Sequence, residues 1–114
     1  MTLEELREEV GRLHELAMLL ADRAEQARRG GNAELYRSLS REAMDHESGA
    51  ARLLVDELEI EPTRGVLFRS AATLALQAGE IQDAERLALL GLAGNPPAVI
   101  EEELRDVLKM VVIL

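Results

Sequence analysis

Leu3, Leu6, Val10, Leu13, Ala17, Leu20, Ala24 and Ala27 follow one another at alternating steps of three and four residues. That spacing holds them on one stripe of an α-helix, a 3.5-residue seam sustained over nearly four heptads. Gly30, Gly31 and Asn32 end the pattern, and Arg28 and Arg29 just before them suit the partial negative charge of a helix C-terminus. A second helix is predicted from about Ala33, with Leu35, Leu39, Ala43, His46, Ala50, Leu53 and Val55 or Leu58 on its inner face. Glu61-Pro62 closes it, because the residue before proline is pushed out of helical geometry. Residues 1–60 therefore read as one long helical hairpin.

Further along, the apolar pattern shortens and turns to small side chains. Phe68, Ala71, Ala72 and Ala75 share a helix face, Gly79 and Glu80 supply a turn, and Ile81, Ala84, Leu87, Ala88, Gly91 and Leu92 lie on the facing side of a second helix. Side chains as short as Ala72, Ala84 and Gly91 let helix axes approach to the lower end of the usual ~8–10 Å range, with Phe68 filling the space they leave. Pro96 stops this second hairpin, which occupies residues 63–95. A last helix is predicted from about Pro97 to Val111, capped by Asn95 and carrying Glu101, Glu102 and Glu103 early, where negative charge is favourable. Its Leu104, Val107, Leu108 and Val111 would close the exposed end of the preceding hairpin. The predicted fold is all-α, a single domain over residues 1–114 made of about five helices: two antiparallel hairpins, the first elongated, and a capping helix over 96–114.

The order of Phe68, Ala72, Gly79, Ala84, Gly91 and Pro96 resembles the signature of a tetratricopeptide (TPR) repeat. Ala75 stands where that repeat usually has Tyr, and Ala88 where it usually has a large aromatic residue. Setting Gly31 at the repeat's turn position aligns Leu20, Ala24, Ala27 and Ala43 with matching sites, so the first hairpin is similar to a degenerate, elongated repeat, broken at Tyr36 and Ser40. The run from Arg69 to Pro97 is also similar to one in small bacterial proteins of about this length. The resemblance implies a concave surface lined by the first helix of each hairpin, where a protein segment would bind. Its outward positions in the second hairpin are Val66, Arg69, Thr73, Leu76 and Gln77, and in the first Met18, Ala21, Glu25, Arg28 and Arg29. Some such domains clamp a terminal carboxylate with Lys and Asn at two of these positions, where this chain has Arg69 and Thr73. The simpler expectation for Arg69 is an ion pair with a neighbouring acid.

Composition narrows the partners. With 114 residues the chain can bury roughly two thirds of its unfolded surface, and with 47% hydrophobic but only 2% aromatic residues its core must be built of Leu, Ala and Val. Without Cys there are no disulfides, thiol nucleophiles or cysteine metal sites. The opening MTLEELREEV is acidic and amphipathic, unlike a secretory signal, and a cytoplasmic protein is expected. No apolar run approaches the ~20 residues that cross a bilayer, and a net charge of −9 disfavours nucleic acid and anionic membranes.

No Gly-rich phosphate loop, GxSxG or HExxH is present, so an enzyme is not expected and no cofactor is implied. Pairing the first hairpin about Gly30 and Gly31 brings His14 opposite Glu47 and beside His46, with Glu42 one turn before. Such a set can ligate a divalent metal in a helix bundle, although a satisfied interfacial His pair, His14 with His46, bonded to Glu47 or Asp45, is the simpler reading. The acidic stretches Glu4, Glu5, Glu8, Glu9 and Asp56, Glu57, Glu59, Glu61 read as solvated faces, with Glu8–Arg12 and Asp83–Arg86 as intrahelical pairs. The terminal MVVIL cannot all face inward from one helix; it either folds over the second hairpin or packs against another chain. The function expected is protein–protein interaction as an adaptor. The alternatives are a homodimer assembled through the first helix or the C-terminal tail, and a bundle holding metal through His14 and His46.

Overall fold

The computed structural model describes all residues from Met1 to Leu114 and is entirely helical. Its elements are α1 (Leu3–Arg29), α2 (Ala33–Leu53), α3 (Thr63–Gln77), α4 (Ile81–Leu92) and α5 (Ala98–Ile113). Thr2 opens α1 with a capping box: its hydroxyl accepts from the Glu5 N–H, and the Glu5 carboxylate accepts from the Thr2 N–H. Both hairpins turn in the same way. Gly31 and Gly79 adopt φ of +77°, and the next residues, Asn32 and Glu80, donate backwards to Ala27 and Ala75 at 2.9 and 2.8 Å. Only glycine takes that left-handed conformation without steric cost, which is why a Gly stands at each turn.

Successive helices run antiparallel. Gly49 on α2 meets Leu13 on α1, and Gly91 on α4 sits against Phe68 on α3. Helices α3 and α5 run parallel, with Arg69 beside Glu103 and Gly65 beside Ile100. The second hairpin packs as its small residues predict. Phe68, Ala71, Ala72, Ala75, Ala84 and Ala88 have no exposed surface, and Leu87 and Leu104 join them in one continuous core. Gly91 is the tightest point: a Cβ there would lie 2.9 Å from Phe68 Cβ and 3.0 Å from both Leu104 methyls.

The structure departs from the sequence expectations in several places. Helix α2 ends at Leu53 rather than running on to Glu61; Ala43 and Ala50 are buried as expected, but Ser40, Met44, Glu47 and Ala51 share that face and Leu35 is exposed. The carbonyls just beyond this stop are taken up by Arg64. Its guanidinium is 1% exposed and takes the Leu54 and Val55 carbonyls at 3.0 to 3.3 Å, together with those of Leu90 and Gly91 at 2.9 and 3.3 Å. One side chain thus caps the C-terminal ends of α2 and α4, where carbonyls carry partial negative charge and lack helical partners. It also stacks over the Phe68 ring at 4.9 Å.

Glu61 is not a solvated acid but a bracket. Its two oxygens accept from the Gly65 and Asn95 backbone N–H groups at 2.8 and 3.0 Å. Asn95 therefore does not cap α5, which begins after Pro97. Arg12 pairs with Glu9 at 2.6 Å instead of Glu8, whereas Asp83–Arg86 forms as expected. The tail does not fold over the second hairpin: α5 continues through it, leaving Val112 and Ile113 86% and 75% exposed. No helix is long and apolar enough to cross a membrane.

Candidate partner-binding surface

Helices α1, α3 and α5 present one face lined by shallow, adjoining depressions. Met18 from α1 meets Arg69, Ser70, Thr73, Leu74 and Gln77 from α3 and Glu103 from α5 around a depression of about 310 Å³. Arg69, Thr73 and Glu103 continue into a second of about 240 Å³, completed by Leu76, Asp106, Val107 and Met110. Met18 also borders a third of about 400 Å³ with His14, Glu15, Leu19 and Asp22.

Two charged pairs lie along this surface, one between α1 and α2 and one between α3 and α5. His14 Nδ1 on α1 is 2.9 and 3.1 Å from the two oxygens of Glu47 on α2. Arg69 on α3 donates through Nη1 to both oxygens of Glu103 on α5 at 3.2 and 3.3 Å. Glu47 has no exposed surface, and burial pushes its carboxyl above the ordinary value, opposed by the His14 hydrogen bond and the charges of His14 and Arg69. No buried side-chain polar atom is left without a partner. The His14–Glu47 pair is thus a satisfied contact between α1 and α2 within the first hairpin, and the Arg69–Glu103 pair joins α3 to α5.

Of the residues singled out from sequence, Arg69, Thr73, Leu76 and Gln77 come together with Met18 on this face. Their polar atoms are already engaged. Arg69 holds Glu103, the Thr73 hydroxyl donates to the Arg69 carbonyl at 2.9 Å, and the Gln77 carbonyl oxygen accepts from Ser40 at 3.3 Å. Glu25, Arg28 and Arg29 line none of the depressions described. They form a local cluster at the end of α1, with both arginines on Glu25, whose pKa falls to about 2 chiefly through the Arg28 hydrogen bond. His46 takes no part in the His14–Glu47 bond, and no three His, Cys, Asp or Glu side chains are grouped to hold a metal ion.

Sequence reasoning overlooked the contribution of α5, treated there only as a cap. Helix α5 sets Glu103 beside Arg69, and the segment before it sets Asn95 beside Glu61, pairings that no sequence pattern marked. The same reasoning also overlooked an apolar groove of about 480 Å³ between the start of α1 and the α2–α3 connection, lined chiefly by Leu3, Leu6, Val10, Leu54 and Ile60. Compared with family models, curated proteins and solved structures, the chain matches none.

Proposed function

We propose that this chain is a non-catalytic, tetratricopeptide-like adaptor that binds a protein segment across the face formed by α1, α3 and α5. The observation that carries this reading is the parallel pairing of α3 and α5, with Arg69 beside Glu103 and Gly65 beside Ile100, the way first helices of successive hairpins stack in a solenoid. Two further features support it: the matched glycine turns at Gly31 and Gly79, and the depressions that run from Met18 across Thr73 to Met110. A solenoid of helical hairpins displays such a face to ligands while its other helices complete the core. In this reading the protein acts in the cytoplasm.

The test is site-specific photocrosslinking. A crosslinking amino acid at Thr73, which is exposed on the proposed face, should trap a partner from native extract, and one at Glu85 on the exposed side of α4 should not. Equal trapping at both positions, or none at Thr73, would remove the face from consideration. A second reading, self-association through the end of α5, is favoured by the exposure of Met110, Val112, Ile113 and Leu114. Its test is the mass of the protein in solution as a function of concentration.

A further inference from the structure

The first turns of α1 outrun the helix they pack against. Gly49 on α2 meets Leu13 and Glu47 bonds His14, so the same antiparallel register sets Leu53, the last residue of α2, opposite Glu8 or Glu9. Leu3 and Leu6, which begin the apolar stripe of α1, therefore have no turn of α2 across from them. The α2–α3 connection passes there instead, and the space left is the groove of about 480 Å³, more enclosed than the depressions on the α1/α3/α5 face. Val10 and Leu54 supply its buried side, Leu6 and Ile60 are half-buried beside them, and Leu3 is 61% exposed at its edge. Two polar side chains complete the lining, Arg7 and Thr63, and no carboxylate belongs to it. Both are exposed, and Arg7 enters none of the ion pairs of the chain.

We propose that this groove binds a free medium-chain carboxylate, its hydrocarbon tail against Leu6, Leu54 and Ile60 and its head against the Arg7 guanidinium and the Thr63 hydroxyl. A concave, mostly apolar lining with a small number of polar groups that fix orientation is the usual character of a small-molecule site, and the volume lies in the usual range. The head-group charge follows from the lining. An unpaired guanidinium presents a fork of N–H donors that matches the two oxygens of a carboxylate, and with no acid in the groove a cationic head would meet only repulsion. A membrane of anionic lipid is the less suitable source of such a ligand, because the molecule as a whole carries −9. The site shares no lining residue with the α1/α3/α5 face, so it stands apart from the adaptor reading.

The experiment titrates the full chain, labelled with nitrogen-15, and follows backbone amide chemical shifts, which report affinity and location together. Octanoate should bind saturably, with the largest shifts at Leu6, Arg7, Ile60 and Thr63. Hexanoate, two methylenes shorter, should bind about tenfold more weakly. Octanol, with the same tail and no charge, should bind about threefold to fivefold more weakly than octanoate, and octylammonium more weakly still. Arg7→Gln should bring octanoate down to the level of octanol and leave octanol unchanged. Arg23→Gln removes another exposed arginine of α1 that enters no ion pair, and should alter neither. Thr63→Trp, which fills the mouth of the groove, should abolish binding of both, with native helicity checked for every variant. Octylammonium binding as tightly as octanoate, or equal effects of Arg7→Gln and Arg23→Gln, would overturn the anionic ligand. Shifts spread equally over Leu16, Leu19, Val112 and Ile113 would mean adsorption to any exposed apolar side chain, and the site would fall. So would the absence of saturable shifts at the groove below the concentration at which octanoate forms micelles. Shifts of the same amides on raising the protein concentration alone, with no further change on adding octanoate, would assign the groove to a second copy and overturn the proposal.

Discussion

A single arginine joins the ends of two helices. Arg64 sits in the first turn of α3, the end where a cation is disfavoured by its own helix. Its guanidinium instead meets the carbonyls of two neighbouring helix ends, Leu54 and Val55 on one side and Leu90 and Gly91 on the other. Gly94 is small for the same reason, since a Cβ there would collide with the guanidinium. Arg64→Met keeps most of the apolar stem but strands those carbonyls, and should cost at least ~3 kcal/mol in urea unfolding. A wild-type midpoint would show that the carbonyls find other partners. Nothing in hydrophobic periodicity marks this residue among the other arginines; the legible clue was its misplacement at a helix start.

Glu47 gives the second residue-scale prediction. Burial raises its folded pKa above the ordinary 4.5, so the folded state binds the proton more readily than the unfolded chain. Between 4.5 and the raised value the folded state therefore holds more protons, and stability falls as pH rises through that window. Glu47→Gln keeps an amide that can hydrogen-bond His14 Nδ1 in either direction but has nothing to ionise. The stability of the wild type relative to this variant should decline from pH 4.5 upward until Glu47 is fully ionised, then level off. A difference that stays flat across denaturation curves from pH 4.5 to 8 would sink this account of Glu47. The sequence did place His14 opposite Glu47, because antiparallel register about the Gly30-Gly31 turn is simple arithmetic. It did not reveal that Glu47 would be fully enclosed.

At the scale of elements, what could be read from sequence depended on which neighbours a helix has. The second hairpin was legible because its contacts are local: Ala72, Ala84 and Gly91 face one another across a short turn, and all are buried. Helix α2 was less so. It lies between α1 and α3, and although Ala43 and Ala50 are buried as the pattern expects, Ser40, Met44, Glu47 and Ala51 are buried with them while Leu35 is exposed. Two glycines separate these effects. Gly11 lies within α1, and a Cβ there meets nothing within 4 Å. Gly11→Ala should therefore stabilise the protein by ~0.5–1 kcal/mol, through the higher helix propensity of alanine. Gly91→Ala brings the same propensity gain, yet its methyl would lie 2.9 Å from Phe68 Cβ. Forcing α3, α4 and α5 apart should outweigh that gain and give a net loss of ~1–3 kcal/mol. Thermal unfolding of the pair decides it: shifts of the same sign would contradict the close approach of these helices.

For the whole molecule, the unresolved competition is between net charge and exposed apolar surface. Helix α5 carries Val112 and Ile113 into solvent beyond the last contacts of the core, and Leu114 follows at 68% exposed. Contiguous apolar area of this kind favours association, while a charge of −9 on each copy opposes it over roughly a Debye length, ~30 Å at 0.01 M salt and ~8 Å at 0.15 M. Self-association should consequently be weak at low salt and strengthen as salt is added, the reverse of an interface held by ion pairs. Light scattering over a hundredfold concentration range should show the mean mass rising with salt for the wild type. Val112→Asp, Ile113→Asp should abolish that rise with less than ~0.5 kcal/mol change in stability, because neither side chain is part of the core. A mass that stays monomeric for the wild type in high salt would show that the end of α5 is not an interface. A rise that survives in the variant would move the contact to the apolar groove beside Leu6 and Ile60 or to the exposed Leu16 and Leu19 of α1. Since Leu19 also borders the proposed binding face, association through α1 would compete with the adaptor role, whereas association through α5 beyond Met110 would leave Met18, Thr73 and Gln77 open to a partner.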